Sequence, residues 1–137
     1  MNVIDSTIKV RLTEKSRIHD VDLNNVAFGK VFSDHMFDVD YRVGNWQQPE
    51  IIPYGPMAMC PSISALHYGQ AIFEGMKAYK SPLGDALLFR PLDNWRRFNH
   101  SGSRLCMPEV PQELFMNGLT ELVRLEKDWI PTAEKSA

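Results

Sequence analysis

The sequence predicts an α+β fold: a mostly antiparallel sheet with about three helices packed on it. Three observations carry that expectation. Met76-Lys-Ala-Tyr-Lys80 and Ala86-Leu-Leu-Phe-Arg90 flank Ser81-Pro-Leu-Gly-Asp85, the pattern of a hairpin closed by a five-residue loop. Leu92, Trp95, Phe98, Gly102 and Leu105 recur at spacings of three and four, which puts one apolar stripe on a helix. Upstream, Ile8-Lys-Val-Arg-Leu12 alternates apolar and polar residues, and 30–41 mixes alternation with aromatic and β-branched side chains.

Taken in order, Ile8–Leu12 reads as an edge strand within an extended lead-in covering residues 1–24, and Asp20–Asn25 as a polar connector. The segment from Lys30 to Tyr41 is the strongest strand candidate of the first half, and the Gly44-Asn45 turn follows it. Glu50–Tyr54 is a second short strand, where Pro53 demands an edge or an end because it has no amide hydrogen to donate. Gly55, Pro56, Pro61 and two serines make 55–64 a loop. Ala65–Glu74 reads as a short helix stopped by Gly75. The next helix is expected over 93–105, capped by Asp93. The last opens at Pro111, turns Phe115, Leu119, Leu122 and Val123 to the core, and ends before Pro131. Its Glu113 near the start and Arg124 and Lys127 near the end match the helix dipole.

The totals narrow the function classes. A chain of 137 residues fits one domain and, by the usual scaling, hides about 68% of its unfolded surface. A net charge of −2 gives no basic stripe for nucleic acid, and the apolar runs are too short to span a membrane. Residues 1–7 lack the apolar stretch of a secretory signal. Cys60 and Cys106 are few and far apart, as in the free thiols of a reducing cytoplasm. His19, His35, His67 and His100 show no metal-ligand spacing; Asp34 and His35, adjacent on a strand, are expected on opposite faces. Ser64 and Ser101 lack a nucleophile-elbow context, and no Gly-rich phosphate loop is present.

One pattern suggests chemistry. If Leu92, Trp95 and Phe98 face the core, Arg97, His100 and Arg104 share an adjacent face. A guanidinium donates in a planar fork and keeps its charge, which suits an oxyanion such as phosphate. From the residues alone, Arg97 is a candidate anion ligand, with a solvated basic flank as the plainer alternative. Tyr68 and Phe73 offer rigid aromatic surface for an apolar pocket, or simply fill a core. Lys77, alternating with apolar neighbours, is expected to face solvent.

Three segments together carry a resemblance. Ala65-Leu-His-Tyr-Gly-Gln-Ala-Ile-Phe-Glu-Gly-Met-Lys-Ala-Tyr-Lys80, Phe28-Gly-Lys-Val-Phe-Ser-Asp-His-Met36 and Asp93-Asn-Trp-Arg-Arg-Phe-Asn-His-Ser101 resemble those of branched-chain amino-acid aminotransferases, pyridoxal phosphate (PLP) enzymes of fold type IV. The likeness runs from about Asn25 to Ile130 and implies that 25–137 is the small domain of a two-domain enzyme. It further implies that Arg97 contacts the cofactor phosphate, that Phe28, Tyr68 and Phe73 line the substrate pocket, and that Tyr68 reaches into the neighbouring subunit of a homodimer. The family's Schiff-base lysine belongs to a second domain beyond Ala137, so no catalytic residue and no metal ligand is expected within this chain, which alone would be catalytically silent. The reaction implied is amino transfer between leucine, isoleucine or valine and 2-oxoglutarate. Two rival readings are the small domain of a relative acting on D-amino acids or aminodeoxychorismate, and a non-catalytic dimerising module. Phe28–Met36 and the Asp128-Trp-Ile-Pro131 ending favour the branched-chain group.

Overall fold

The computed structural model describes residues 7–27 and 29–132. Strand β1 (Lys9–Val10) lies parallel to β5 (Glu50–Pro53), which pairs antiparallel with β2 (His35–Asp38) in the order β1-β5-β2. Ile51 of the central strand faces Phe37 across the ladder and is 1% exposed. Between these strands, β3 (Tyr41–Arg42) and β4 (Asn45–Trp46) form a two-residue hairpin. Its turn residues Val43 and Gly44 both have positive φ, at 51° and 81°, the geometry whose twist matches the flanking strands. Helix α1 (Ser64–Tyr68) precedes the hairpin of β6 (Ala78–Lys80) and β7 (Ala86–Leu88), and helices α2 (Pro91–Arg104) and α3 (Gln112–Leu125) complete the fold. The architecture is α+β with small, mainly antiparallel sheets, as the sequence predicts.

Several boundaries differ from expectation for definable reasons. The strong strand signal over 30–41 yields only His35–Asp38 plus the start of the small hairpin, because Lys30 lies in a turn and Asp34 spends its backbone amide on Glu126. Pro53 falls at the end of β5, which is the central strand, so the ladder loses nothing. The helix expected to run to Glu74 stops at Tyr68. Gly69 is the first residue able to take a left-handed conformation cheaply (φ 62°), and its amide returns to the Ser64 carbonyl. Helix α2 begins two residues before Asp93, since Pro91 has the φ of a first helical turn and gives up no useful donor. Asp93 sits inside that turn and binds the Arg90 and Arg96 side chains instead of capping.

On α3 the buried line is also rotated by about one position: Leu114 and Gly118 are buried, while Phe115, Leu119, Leu122 and Val123 are only half covered. The cause is Phe37, whose ring tip points from β2 into the helix backbone at Gly118. Phe98 and Phe115 then join α2 to α3 with ring centroids 5.8 Å apart. The connection between the two helices is pinned by the Trp95 and Asn99 side chains, which donate to the Val110 carbonyl at 2.8 and 3.0 Å.

A buried polar network ties the lead-in, the sheet and the end of α3 together. The Thr13 amide donates to His35 Nε2 at 2.9 Å, so that nitrogen carries no proton and Nδ1–H donates to Glu126 Oε1 at 2.5 Å. The other Glu126 oxygen accepts the Asp34 amide at 2.8 Å. Asp34 turns its carboxylate the opposite way, to the Arg17 amide (3.0 Å) and the Trp129 indole (3.3 Å). Burial pushes Asp34 upward, but the donors from Ser16, Arg17 and Trp129 outweigh it and hold the acid below its ordinary range.

The apolar interior is small. Among the described residues only Ile51, Leu114 and Ile130 are buried hydrophobic side chains. The chain exposes 10316 Å², whereas a compact protein of 15.7 kDa exposes about 7,300 Å². That corresponds to hiding about 55% of the unfolded surface, below the expected 68%. No helix among the described residues is long and apolar enough to cross a membrane.

Candidate active site

After Gly69 the chain runs as an irregular strand-like segment along α2, in the reverse direction. Three contacts register it. Gln70 Nε2 donates to the Leu105 carbonyl at 2.8 Å, the Ile72 side chain lies over Gly102, and Glu74 meets Asn94 and Arg97. A Cβ at Gly102 would stand 3.5 Å from Ile72 Cδ1, an ordinary van der Waals contact. The register delivers Glu74 to the first half of α2, at the lip of a groove of about 480 Å³. Met76, Lys77, Tyr79, Phe89, Arg90 and the acidic Asp93 line it together with Gly75, Asn94 and Arg97.

Arg97 lies at this groove. Its Nε donates to Glu74 Oε2 at 2.7 Å and its Nη2 binds Oε1, a two-point fork. Asn94 Nδ2 adds a bond to Oε1 at 2.9 Å and another to the Gly75 carbonyl at 3.2 Å. Hydrogen bonding from Arg97 is the main cause that brings the Glu74 carboxyl down to about 2, with Asn94 assisting against the cost of burial. The same pair raises Arg97 above its ordinary value. A carboxyl held low stabilises the fold above its unfolded pKa and loses that contribution as pH falls through the folded value. Glu74 is therefore expected to stay ionised and paired from neutral pH down through its ordinary 4.5, and to release Arg97 only toward about 2. A carboxyl ¹³C titration by NMR checks this; a midpoint near 4.5 would mean that the fork is not formed in solution.

The remaining sequence-predicted residues separate. Phe73 is 83% exposed, with its ring against Gly75, and does not line the Arg97 groove. The helix end expected after Glu74 plays no part in its placement, since α1 stops at Tyr68. Tyr68, the last residue of α1, is 86% exposed, and its ring neighbour is His67. It does not line the groove. Phe28 lies outside the described residues. Lys77 is exposed, lines the groove, and holds its Nζ 5.6 Å from the Tyr79 ring centre. Arg96 is engaged on the surface by Asp93 at 2.8 Å. Among the described residues no cluster of three His, Cys, Asp or Glu could hold a metal.

Sequence reasoning missed Glu74, Asn94 and Arg90 as members of the site. Asn94 and Arg97 share a helix face at a spacing of three, which is legible. Glu74 is 23 residues from Arg97, and no local pattern links them.

Comparison with known proteins gives the site its context. The chain is 48% identical over 129 residues to branched-chain-amino-acid aminotransferase 2 of Bacillus subtilis (strain 168), covering 93% of the chain and 35% of that protein. It is 50% identical over 111 residues to branched-chain-amino-acid transaminase 1 of the same strain, covering 80% and 31%. With the branched-chain-amino-acid aminotransferase of Mycolicibacterium smegmatis it shares 45% over 112 residues, covering 81% and 30%. No family model matches the chain. The chain belongs to the branched-chain aminotransferases, a family of enzymes, and spans about a third of the length of the curated relatives it matches.

Proposed function

We propose that this chain serves as the small domain of an enzyme that moves the amino group between branched-chain L-amino acids and 2-oxoglutarate with PLP. The observation that carries the proposal is the match to branched-chain aminotransferases over 80–96% of the chain. Residues 25–137 act as the domain proper, with 1–24 as its lead-in.

The donor set suits the cofactor's phosphate end. Two of the five guanidinium donors of Arg97 are occupied by Glu74, and Nη1 has no protein partner among the described residues. Lys77 adds positive charge to the same groove, where Arg90 is paired with Asp93, and the groove's volume of about 480 Å³ is in the range of small-molecule sites. PLP, when bound, supplies an electron sink for charge developing at the substrate α-carbon. This chain's residues do the binding work around it: Arg97 grips and orients the phosphate, and the exposed rings of Phe73 and Tyr68, with Phe28, shed water to receive a branched aliphatic side chain. The exposure of Tyr68 supports its use by a second subunit in a homodimer. The lysine amine that holds the cofactor comes from outside these residues, and this chain's part is recognition.

The test compares leucine–2-oxoglutarate transamination by the chain alone with that of the chain joined to the portion of the Bacillus subtilis aminotransferase 2 that it does not match. No turnover is expected from the first and PLP-dependent turnover from the second. Turnover by the chain alone, or a folded, PLP-loaded fusion inactive toward branched substrates, would overturn the proposal. Borohydride reduction of the chain with PLP, followed by intact mass, should leave no stoichiometric lysine adduct.

A further inference from the structure

Four of the ion pairs here involve an arginine and an acid that are both well exposed. Asp40, Asp93 and Glu121, the acids of these pairs, have side chains between 39% and 55% exposed, and such pairs contribute little. The Glu74–Arg97 pair is built differently. Its acid is only 6% exposed while its base is 66% exposed. The carboxylate is held from behind by Asn94, which is itself fastened to the Gly75 carbonyl. Asn94 and Arg97 project from the same face of α2, so one helix supplies both the clamp on Glu74 and the group that Glu74 clamps. The anchored member is covered and the presented member is open, the arrangement that fixes a flexible side chain while leaving part of it for a ligand.

We propose that Glu74 is a positioning residue for anion binding: together with Asn94 it locks the guanidinium of Arg97, presenting the remaining Nη donors to a phosphate group in the groove. The inference rests on the reading of Arg97 as a phosphate ligand. An arginine side chain loses much rotamer freedom when fixed, and locking it before the ligand arrives removes that cost from binding.

The full chain is titrated with PLP, and separately with inorganic phosphate, by ³¹P NMR at neutral pH, with thermal unfolding recorded for each variant. Glu74→Gln, which keeps the shape but removes the charge, is expected to weaken phosphate affinity about tenfold, Asn94→Ala about threefold, and Glu74→Asp to recover part of the loss. Arg97→Ala should abolish the ³¹P shift. The Nε–H resonance of Arg97 gives a readout independent of ligand: it should stand apart in the unmodified chain and merge with the exposed arginines in Glu74→Gln. If Arg97→Ala binds as the unmodified chain does, or the unmodified chain gives no ³¹P shift, the reading of Arg97 fails and this inference with it. If Arg97→Ala loses binding but Glu74→Gln binds equally or more tightly, only the positioning role of Glu74 is overturned. A lowered melting temperature with unchanged affinity also overturns it, leaving the pair as a tie between α2 and the segment beside it. Should Glu74→Gln fail to fold, Asn94→Ala decides by the same criteria.

Discussion

Replacing Glu126 by alanine is expected to cost about 3–5 kcal/mol of stability, because the carboxylate satisfies two buried donors that nothing else can reach, each costing about 1–3 kcal/mol when orphaned. These donors are the Asp34 amide and His35 Nδ1–H. Glutamine should not rescue it. Its amide offers one acceptor and one donor, so if the oxygen takes the Asp34 amide, the NH₂ meets His35 and forces the imidazole proton onto Nε2, against the Thr13 amide. If the oxygen takes His35 instead, NH₂ faces the Asp34 amide. Either way two donors confront each other, and Glu126→Gln is expected to lose about 1–3 kcal/mol. Urea unfolding followed by tryptophan fluorescence measures both; a loss below about 1 kcal/mol for the alanine variant would show that water replaces the carboxylate at that position.

Gly118→Val is the second large effect expected. A Cβ at Gly118 would stand 2.5 Å from Phe37 Cζ and 2.7 Å from both Cε atoms, so valine must displace the ring that joins β2 to α3. Overpacking of this kind costs about 1–3 kcal/mol, and two further methyl groups place valine at the upper end, about 3 kcal/mol. Glycine in mid-helix is itself unfavourable by about 1 kcal/mol relative to alanine, which shows how much the close approach contributes. Gly118→Ala gains that propensity and is expected to be milder. Combining it with Phe37→Leu should recover part of its loss, since the two sites act through one contact. Additive losses in the double variant would mean that the ring and the helix do not meet as described.

These two contacts mark where sequence reading ran out. The α2 stripe was legible in part because helical spacing is a local property. Gly102 is buried and Trp95 and Phe98 are half covered, while Leu92 and Leu105 at its ends are each 38% exposed. The hairpin around Ser81–Asp85 and the turn at Gly44 were legible for the same reason. On α3 the apolar residues surround more than one face, and periodicity alone pointed to Phe115 and Leu119. The true inward line, Leu114 and Gly118, depends on an aromatic ring arriving from a strand far away in sequence. Glycine, lacking a side chain, carries no hydropathy signal for such a contact. The early stop of α1 was misplaced because two glycines, Gly69 and Gly75, were equally eligible to end it.

The sequence by itself determined the α+β class and the family, and it singled out Arg97, Tyr68 and Phe73 as candidates, because each of these is written in local spacing or in contiguous motifs. Tertiary structure alone decided that Glu74 grips Arg97, that Asn94 backs Glu74, that Phe73 leans on Gly75, and that His35 and Glu126 share a proton-bearing contact inside the fold. The physical reason is range. Periodicity and turn chemistry act over a few residues of chain. An ion pair or a hydrogen bond depends on distances of a few ångströms in space, and only the reversal of the chain at Gly69, which lays residues 70–74 along α2, brings those partners together.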